Sequence, residues 1–321
     1  MNAAAARMLP ASVKGVIAMA ASMAMFVTHD TFIKLAVREL PVGEALGLRS
    51  LLAGLVLLVL IARSGDLPAL RYAFHGRVVT RSLLDTLTTF AYVAALAVMP
   101  IASSTTIYMA APLATTALAV PLLGEKVGWR SWCAIIIGFM GAVIVTRPEP
   151  STFEIVALLP LLAALTGAVR DVSTRRIGME IPGAVVGFSS TLALCVTSLV
   201  FAFSEHWVVP SLAVSAYLVA AGLFFAAATL LLVFAFRNAP VASVSPLRYL
   251  LVLGALVSGY LVFGDLPDAW TTIGMVLVVG AGLYALRHEH QKSRAVRSAA
   301  GAATVTSGTG RAVPACAPSH D

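Results

Sequence analysis

Charge is scarce in this chain. Of its 321 residues only 12% are Asp, Glu, Lys or Arg, whereas 59% are hydrophobic. A water-soluble globule keeps a charge-rich exterior, so this composition excludes a soluble enzyme or binding module and points to an integral membrane protein. Cysteine is scarce too. Cys133, Cys195 and Cys316 are far apart, and the first two fall in apolar runs, which leaves neither a disulfide framework nor metal-ligand spacing. A glycine-rich phosphate loop is missing, and no polar stretch is long enough to hold a nucleotide-binding domain. No cofactor is therefore expected. Acidic residues are outnumbered, 15 against 22 Lys and Arg, for a net charge of +7. In a soluble protein that excess would suggest nucleic acid. Here the basic residues lie almost entirely in short connections and the final segment, where they act as topology signals, and nucleic acid is not an expected partner.

What the chain has in abundance is long hydrophobic runs. A span needs about 20 apolar residues, and ten candidates appear near 14–37, 42–62, 79–98, 101–123, 129–146, 154–174, 182–203, 211–236, 241–263 and 268–286. The first 28 residues have the layout of a signal peptide, but the run continues into Asp30 and Lys34, which argues against cleavage. With the N-terminus inside, all but five of the 22 basic residues collect on the cytoplasmic side. The five are Arg38 and Arg147 outside, and Lys34, Arg49 and Arg248 within spans. Both termini are thus expected in the cytoplasm of a multi-pass inner (plasma) membrane protein. Residues 288–321, basic at first and then rich in Gly, Ala, Ser and Thr, read as a disordered tail.

The stretch His29 to Pro41, HDTFIKLAVRELP, returns 141 residues later as RDVSTRRIGMEIP. Asp171 answers Asp30, Arg175 answers Lys34, and Pro182 answers Pro41. Further on, Pro100-Ile101-Ala102-Ser103 matches Pro240-Val241-Ala242-Ser243, and Leu123-Gly124-Glu125 matches Phe263-Gly264-Asp265. Two units follow, 14–146 and 154–286, each of five spans. Five is odd, so the second unit must enter the membrane from the opposite side. The expected fold is all-α, with two inverted five-helix repeats around a central cavity.

On these spans and motifs the chain resembles the drug/metabolite transporter superfamily, of the EamA type. The resemblance rests on Pro100, Pro112, Gly124-Glu125 and Gly141 in the first half and Pro240, Gly264-Asp265 and Gly282 in the second, and covers about 14 to 286. It implies carriage of small organic solutes. Val252 stands where the first copy has Pro112, so the ninth span is expected to bend at a different depth, near Pro246.

An ionisable side chain in a span costs about 2.5–3.5 kcal/mol at mid-helix, so it normally faces a partner or a cavity. Asp30 and Lys34 share a helix face, where they can pair. Glu44 and Arg49 start the next span at the same outer level, and snorkelling to the interface is the plain alternative. Asp30, Lys34 and Arg49 form a candidate outer gate, and Arg170, Asp171 and Arg175 an inner one. Arg248, seven residues into its span beside Tyr249, is a candidate ligand for a solute carboxylate or phosphate. A simple pair with Asp85 is the competing structural role; the two are compatible if the solute displaces Asp85, which is itself a candidate solute-site residue. Tyr92, Tyr108 and Tyr249 offer flat walls and Thr89 a hydroxyl, although aromatic side chains in spans more often pack or line the interface. His29 is a candidate for proton coupling, or a satisfied interfacial histidine.

These features suggest a secondary transporter working by alternating access on a small-molecule solute in the lipid bilayer. The early Asp-x-x-x-Lys and the Arg of the second span are similar to riboflavin or S-adenosylmethionine uptake carriers of the superfamily. Export of amino acids or related metabolites is the alternative. Protons as coupling ion and a homodimer stay open. An intramembrane enzyme is the remote reading: Asp265 and Asp268 sit together without a third acid, and His288-Glu289-His290 lacks zinc-motif spacing.

Overall fold

The computed structural model describes residues 11–123, 129–146, 155–174, 177, 180–238, 245–284 and 287. Arg175, Gly124-Glu125, Pro240 to Ser243 and the segment 288–321 lie outside them. The helices are α1 (Ala11–Ala36), α2 (Val42–Ser64), α3 (Gly76–Val98), α4 (Ile101–Tyr108), α5 (Ala111–Leu123), α6 (Trp129–Thr146), α7 (Leu158–Thr174), α8 (Gly183–Phe201) and α9 (Leu212–Asn238). They are followed by α10 (Leu250–Ser258) and α11 (Ala269–Tyr284). Helix occurs in each of the ten expected stretches, α4 and α5 sharing one. Among the described residues, five helical stretches are long and apolar enough to cross a membrane: Val13–Ala36, Val42–Ser64, Ile101–Leu122, Gly183–Phe201 and Leu212–Leu232.

Local chemistry explains the irregular places. Pro112 has no N–H to offer the Tyr108 carbonyl four residues back, and its ring crowds that carbonyl. The fourth stretch breaks there into α4 and α5. In the second half Val252 lies inside an uninterrupted α10. The irregularity moves to a 3₁₀ turn at Ser245–Tyr249, which contains Pro246, and a π turn at Gly259–Phe263. Gly264 closes that π turn with φ of 71°, a left-handed conformation that favours glycine, which accounts for the glycine of the Gly264-Asp265 motif. Asp268, half of the pair weighed for catalysis, caps α11 by accepting from the Thr271 N–H at 3.1 Å.

Contacts fix the helix directions. Along α2 and α8, Gly47 approaches Ser198 and Gly54 approaches Thr191, so these helices run antiparallel. Small residues allow that closeness. Helices α3 and α7 are antiparallel too, Asp85 meeting Arg170 and Thr88 meeting Thr166 at 2.9 Å. Helices α1 and α3 are parallel, since Lys34 donates to the Met99 carbonyl where both end. Hence α7 runs opposite to α1, its counterpart. α1 packs on α9 through Ser22, which donates to the Ala228 carbonyl at 2.7 Å, and through the Phe26–Phe225 edge contact. At the periphery α6 and α11 come within backbone contact: a Cβ on Gly141 would lie 2.9 Å from the Gly274 carbonyl oxygen. The buried interior between these helices holds an unusual share of Ser, Thr and charged side chains, while many large apolar residues such as Leu55, Ile136 and Val276 face outward. That is a membrane protein's arrangement, with lipid outside and a polar centre.

Candidate functional site

Three tiers of polar side chains occupy the centre. In the first, near the C-terminal ends of α1 and α3, Asp30 is 8% exposed. Its Oδ1 accepts from His29 Nδ1 at 2.9 Å and its Oδ2 from the Tyr92 hydroxyl at 3.0 Å. Tyr92 in turn lies 2.8 Å from Thr105 Oγ1, and its ring centroid is 5.0 Å from that of Tyr108. The Asp30–Lys34 pair that their spacing allowed does not form. Lys34 instead donates to the Met99 carbonyl at the end of α3 and sits 5.1 Å from the Phe263 ring centre. A helix's last carbonyls have no intrahelical partner, so Met99 supplies an acceptor that Asp30, already engaged by α3, does not.

Glu44 and Arg49 also part company. Glu44 Oε2 accepts from the Val208 N–H at 3.0 Å, while Glu205 accepts from the Gly43 and Glu44 N–H groups at 3.0 and 3.2 Å. Two acids thus clasp the start of α2, one of them a carboxylate at a helix N-terminus where the backbone dipole favours it. Arg49 turns inward. It is 1% exposed, its guanidinium carbon stands 4.3 Å from the Phe225 ring centre, and its Nε and Nη1 have no hydrogen-bond partner.

Arg49 belongs to the middle tier, a cavity of about 10 Å³, room for about one water. Asp85, Thr86 and Thr89 of α3, Ser190, Thr191 and Leu194 of α8, and Phe225 of α9 complete its wall. A site for a drug-sized ligand is usually about 300–1,000 Å³. The cavity is therefore contracted, and anything larger than a water enters it only if the helices part. A larger recess on the outer face of α6, between Ile135 and Ile144, is lined by apolar residues alone and offers no chemistry.

The third tier is a chain of ion pairs. Asp85 accepts from Arg170 at 2.7 Å and from Arg81 at 3.2 Å, Arg170 also donates to Asp171 at 2.8 Å, and Arg248 lies 3.7 Å from Asp171. Arg81 further donates to Ser190. The expected pairing of Arg248 with Asp85 is therefore corrected. Arg248 rests on Asp171, and Asp85 is filled by two other guanidiniums. Tyr249 lies away from the cavity, buried among Met275 and Val278, with its hydroxyl against Gly282 of α11. Of the proposed solute ligands, Asp85 and Thr89 line the cavity. Tyr92 and Tyr108 meet in a tilted ring contact in the first tier.

Sequence reasoning missed Arg81, Ser190, Thr191 and Phe225. The run Ser189-Ser190-Thr191 inside an otherwise apolar helix was a legible signal for two of them. Arg81 was counted only as a topology charge, and nothing marks Phe225 out from its neighbour Phe224.

The comparisons with known proteins agree with this architecture. The model of the EamA-like transporter family matches residues 13–147. A riboflavin transporter of Rhizobium johnstonii is 31% identical over 229 residues, 71% of this chain and 76% of that protein. An S-adenosylmethionine uptake transporter of Rickettsia bellii is 29% identical over 194 residues, 60% of this chain and 66% of that one. A pseudopaline exporter of Pseudomonas aeruginosa is 23% identical over 257 residues, 80% and 90% of the two chains. A solved crystal structure superposes with a TM-score of 0.61 over 85% of this chain and 96% of its own, at 19% identity, a likeness of fold alone.

Proposed function

We propose, from the premise that this chain belongs to the EamA-like transporter family, that it is a secondary transporter carrying one small organic metabolite by alternating access. A membrane transporter of small metabolites, rather than an enzyme, is the common ground of its named relatives. The observation that carries the finer reading is the arrangement of the three tiers, a polar cavity closed at one end around Asp30 and at the other around Asp85 and Asp171. Opening either end breaks its own set of bonds and leaves the other intact, which is what alternation requires. The antiparallel courses of α2 and α8 and of α3 and α7 support a duplicated and flipped pair of repeats, 14–146 and 154–286, spanning the membrane ten times. The basic residues favour cytoplasmic termini, which places the Asp85 network at the inner mouth.

Riboflavin and S-adenosylmethionine, named for relatives, are the first solutes to try. Export is the second reading, favoured by the pseudopaline exporter, whose match covers the larger share of this chain. Protons as coupling ion and assembly as a homodimer belong to the proposal as open features of the same carrier. The test is counterflow in proteoliposomes, in which a preloaded unlabelled solute drives entry of the labelled one. Asp30→Asn and Asp171→Asn are each expected to lower the counterflow rate at least about tenfold, the loss of one charged hydrogen-bond set. Full activity of both variants would sink the two-gate reading.

A further inference from the structure

We infer that Arg49 is the solute-binding cation of the cavity and that the solute it selects carries an anionic oxygen group, a carboxylate or a phosphate. The inference rests on the cavity being the solute site, and it shifts the anchoring role from Arg248, where the sequence suggested it, to α2. Arg248 already has Asp171. Arg49 is buried to 1% exposure, yet its Nε and Nη1 are bonded to nothing. A buried guanidinium left unpaired is costly unless something fills the place during the working cycle.

Among the described residues, the carboxylates nearest Arg49 are already taken. Asp85 is shared by Arg81 and Arg170, and Asp171 by Arg170 and Arg248, so three guanidiniums already draw on two carboxylates. Asp30 is taken by His29 and Tyr92. Neither Asp85 nor Asp30 forms a hydrogen bond with Nε or Nη1 of Arg49. Phe225 holds the guanidinium plane at 4.3 Å and leaves its N–H edge for a ligand. The hydroxyls of Thr86, Thr89, Ser190 and Thr191 border the same space. A planar cation with free N–H groups at Nε and Nη1, an aromatic neighbour and bordering hydroxyls suits an anionic oxygen, which accepts charge-assisted N–H bonds. It does not suit a cation. The two solutes named for relatives then separate, because S-adenosylmethionine has a carboxylate and riboflavin has no anionic oxygen.

The experiment uses matched pairs that differ in that group: S-adenosylmethionine against its decarboxylated form, riboflavin 5′-phosphate against riboflavin, and benzoate against benzamide. Thermal shift of the full chain in detergent reports binding. The anionic member is expected to stabilise the protein more in at least one pair, the first reporting a carboxylate and the second a phosphate. Arg49→Gln is expected to weaken the preferred anion about tenfold or more and to abolish the preference. Arg49→Lys, which keeps charge but loses the fork, should be intermediate. Should Arg49→Gln fail to fold, the lysine variant and the wild-type preference decide. Equal shifts within every pair, no shift by any anion, or a preference unchanged in the variants would overturn the inference. Counterflow measured alongside keeps the two ideas distinct: anion preference without counterflow condemns the carrier reading and spares Arg49, and counterflow without preference does the reverse.

Discussion

Replacing Asp85 by Asn should unlatch the inner mouth. Asp85 accepts from Arg170 at 2.7 Å and from Arg81 at 3.2 Å, and its side chain is 17% exposed. Each charge-assisted bond contributes roughly 1.5–3 kcal/mol. Asparagine keeps one oxygen acceptor but turns an amide N–H₂ toward the second guanidinium, and residual water access weakens both terms. A net loss of about 2 kcal/mol from the closed state follows, which multiplies the ratio of inward-open to closed molecules about 30-fold. The assay needs a reporter in the cavity wall. Thr89→Cys supplies one once Cys133, Cys195 and Cys316 are changed to Ser, and an impermeant maleimide on inside-out vesicles reads its exposure. Labelling from the cytoplasmic face should accelerate by roughly that 30-fold, and labelling from the opposite face should fall or stay unchanged. An unchanged cytoplasmic rate, or equal acceleration from both faces, would refute the latch, the latter because it signals general loosening.

Two further substitutions probe the frame around the site. Gly282→Ala would place a Cβ 1.8 Å from the Tyr249 hydroxyl oxygen, so it should lower Tm by the equivalent of about 1–3 kcal/mol of overpacking. Gly280→Ala, with nothing within 4 Å of the added carbon, should leave Tm unchanged and serves as the control. Glu205→Ala removes the acceptor for the Gly43 and Glu44 N–H groups. It should cost about 1 kcal/mol in a denaturant or thermal titration while counterflow persists, because Glu205 caps α2 and does not line the cavity.

The helical class and the ten helical stretches were legible because long apolar runs are a strong signal that needs no tertiary information. The break at Pro112 and the glycine at 264 were legible for the same reason, since each follows from backbone chemistry at one residue. Which charge meets which was not. The spacing of Asp30 and Lys34 shows that they share a face, but not that Tyr92 and the Met99 carbonyl wait on the neighbouring helix. Asp85 and Arg248 enter from one side of the membrane, yet Arg170 stands closer to Asp85, and only packing reveals that. Arg49 was grouped with Asp30 and Lys34 as an outer gate; only packing shows that it stands against Phe225 of α9 and lines the cavity. Ser189-Ser190-Thr191 was the one overlooked pattern that residue types alone could have exposed.

The Arg170 bridge has a counterpart that is chemically weaker. Arg170 precedes Asp171 as His29 precedes Asp30, but the arginine holds two carboxylates on different helices and the histidine holds only its own neighbour. One threshold is thus fitted with a bolt and the other with a catch. The protein at rest should therefore spend more time receptive on the histidine side, and whatever drives its cycle must do most of its work against the arginine.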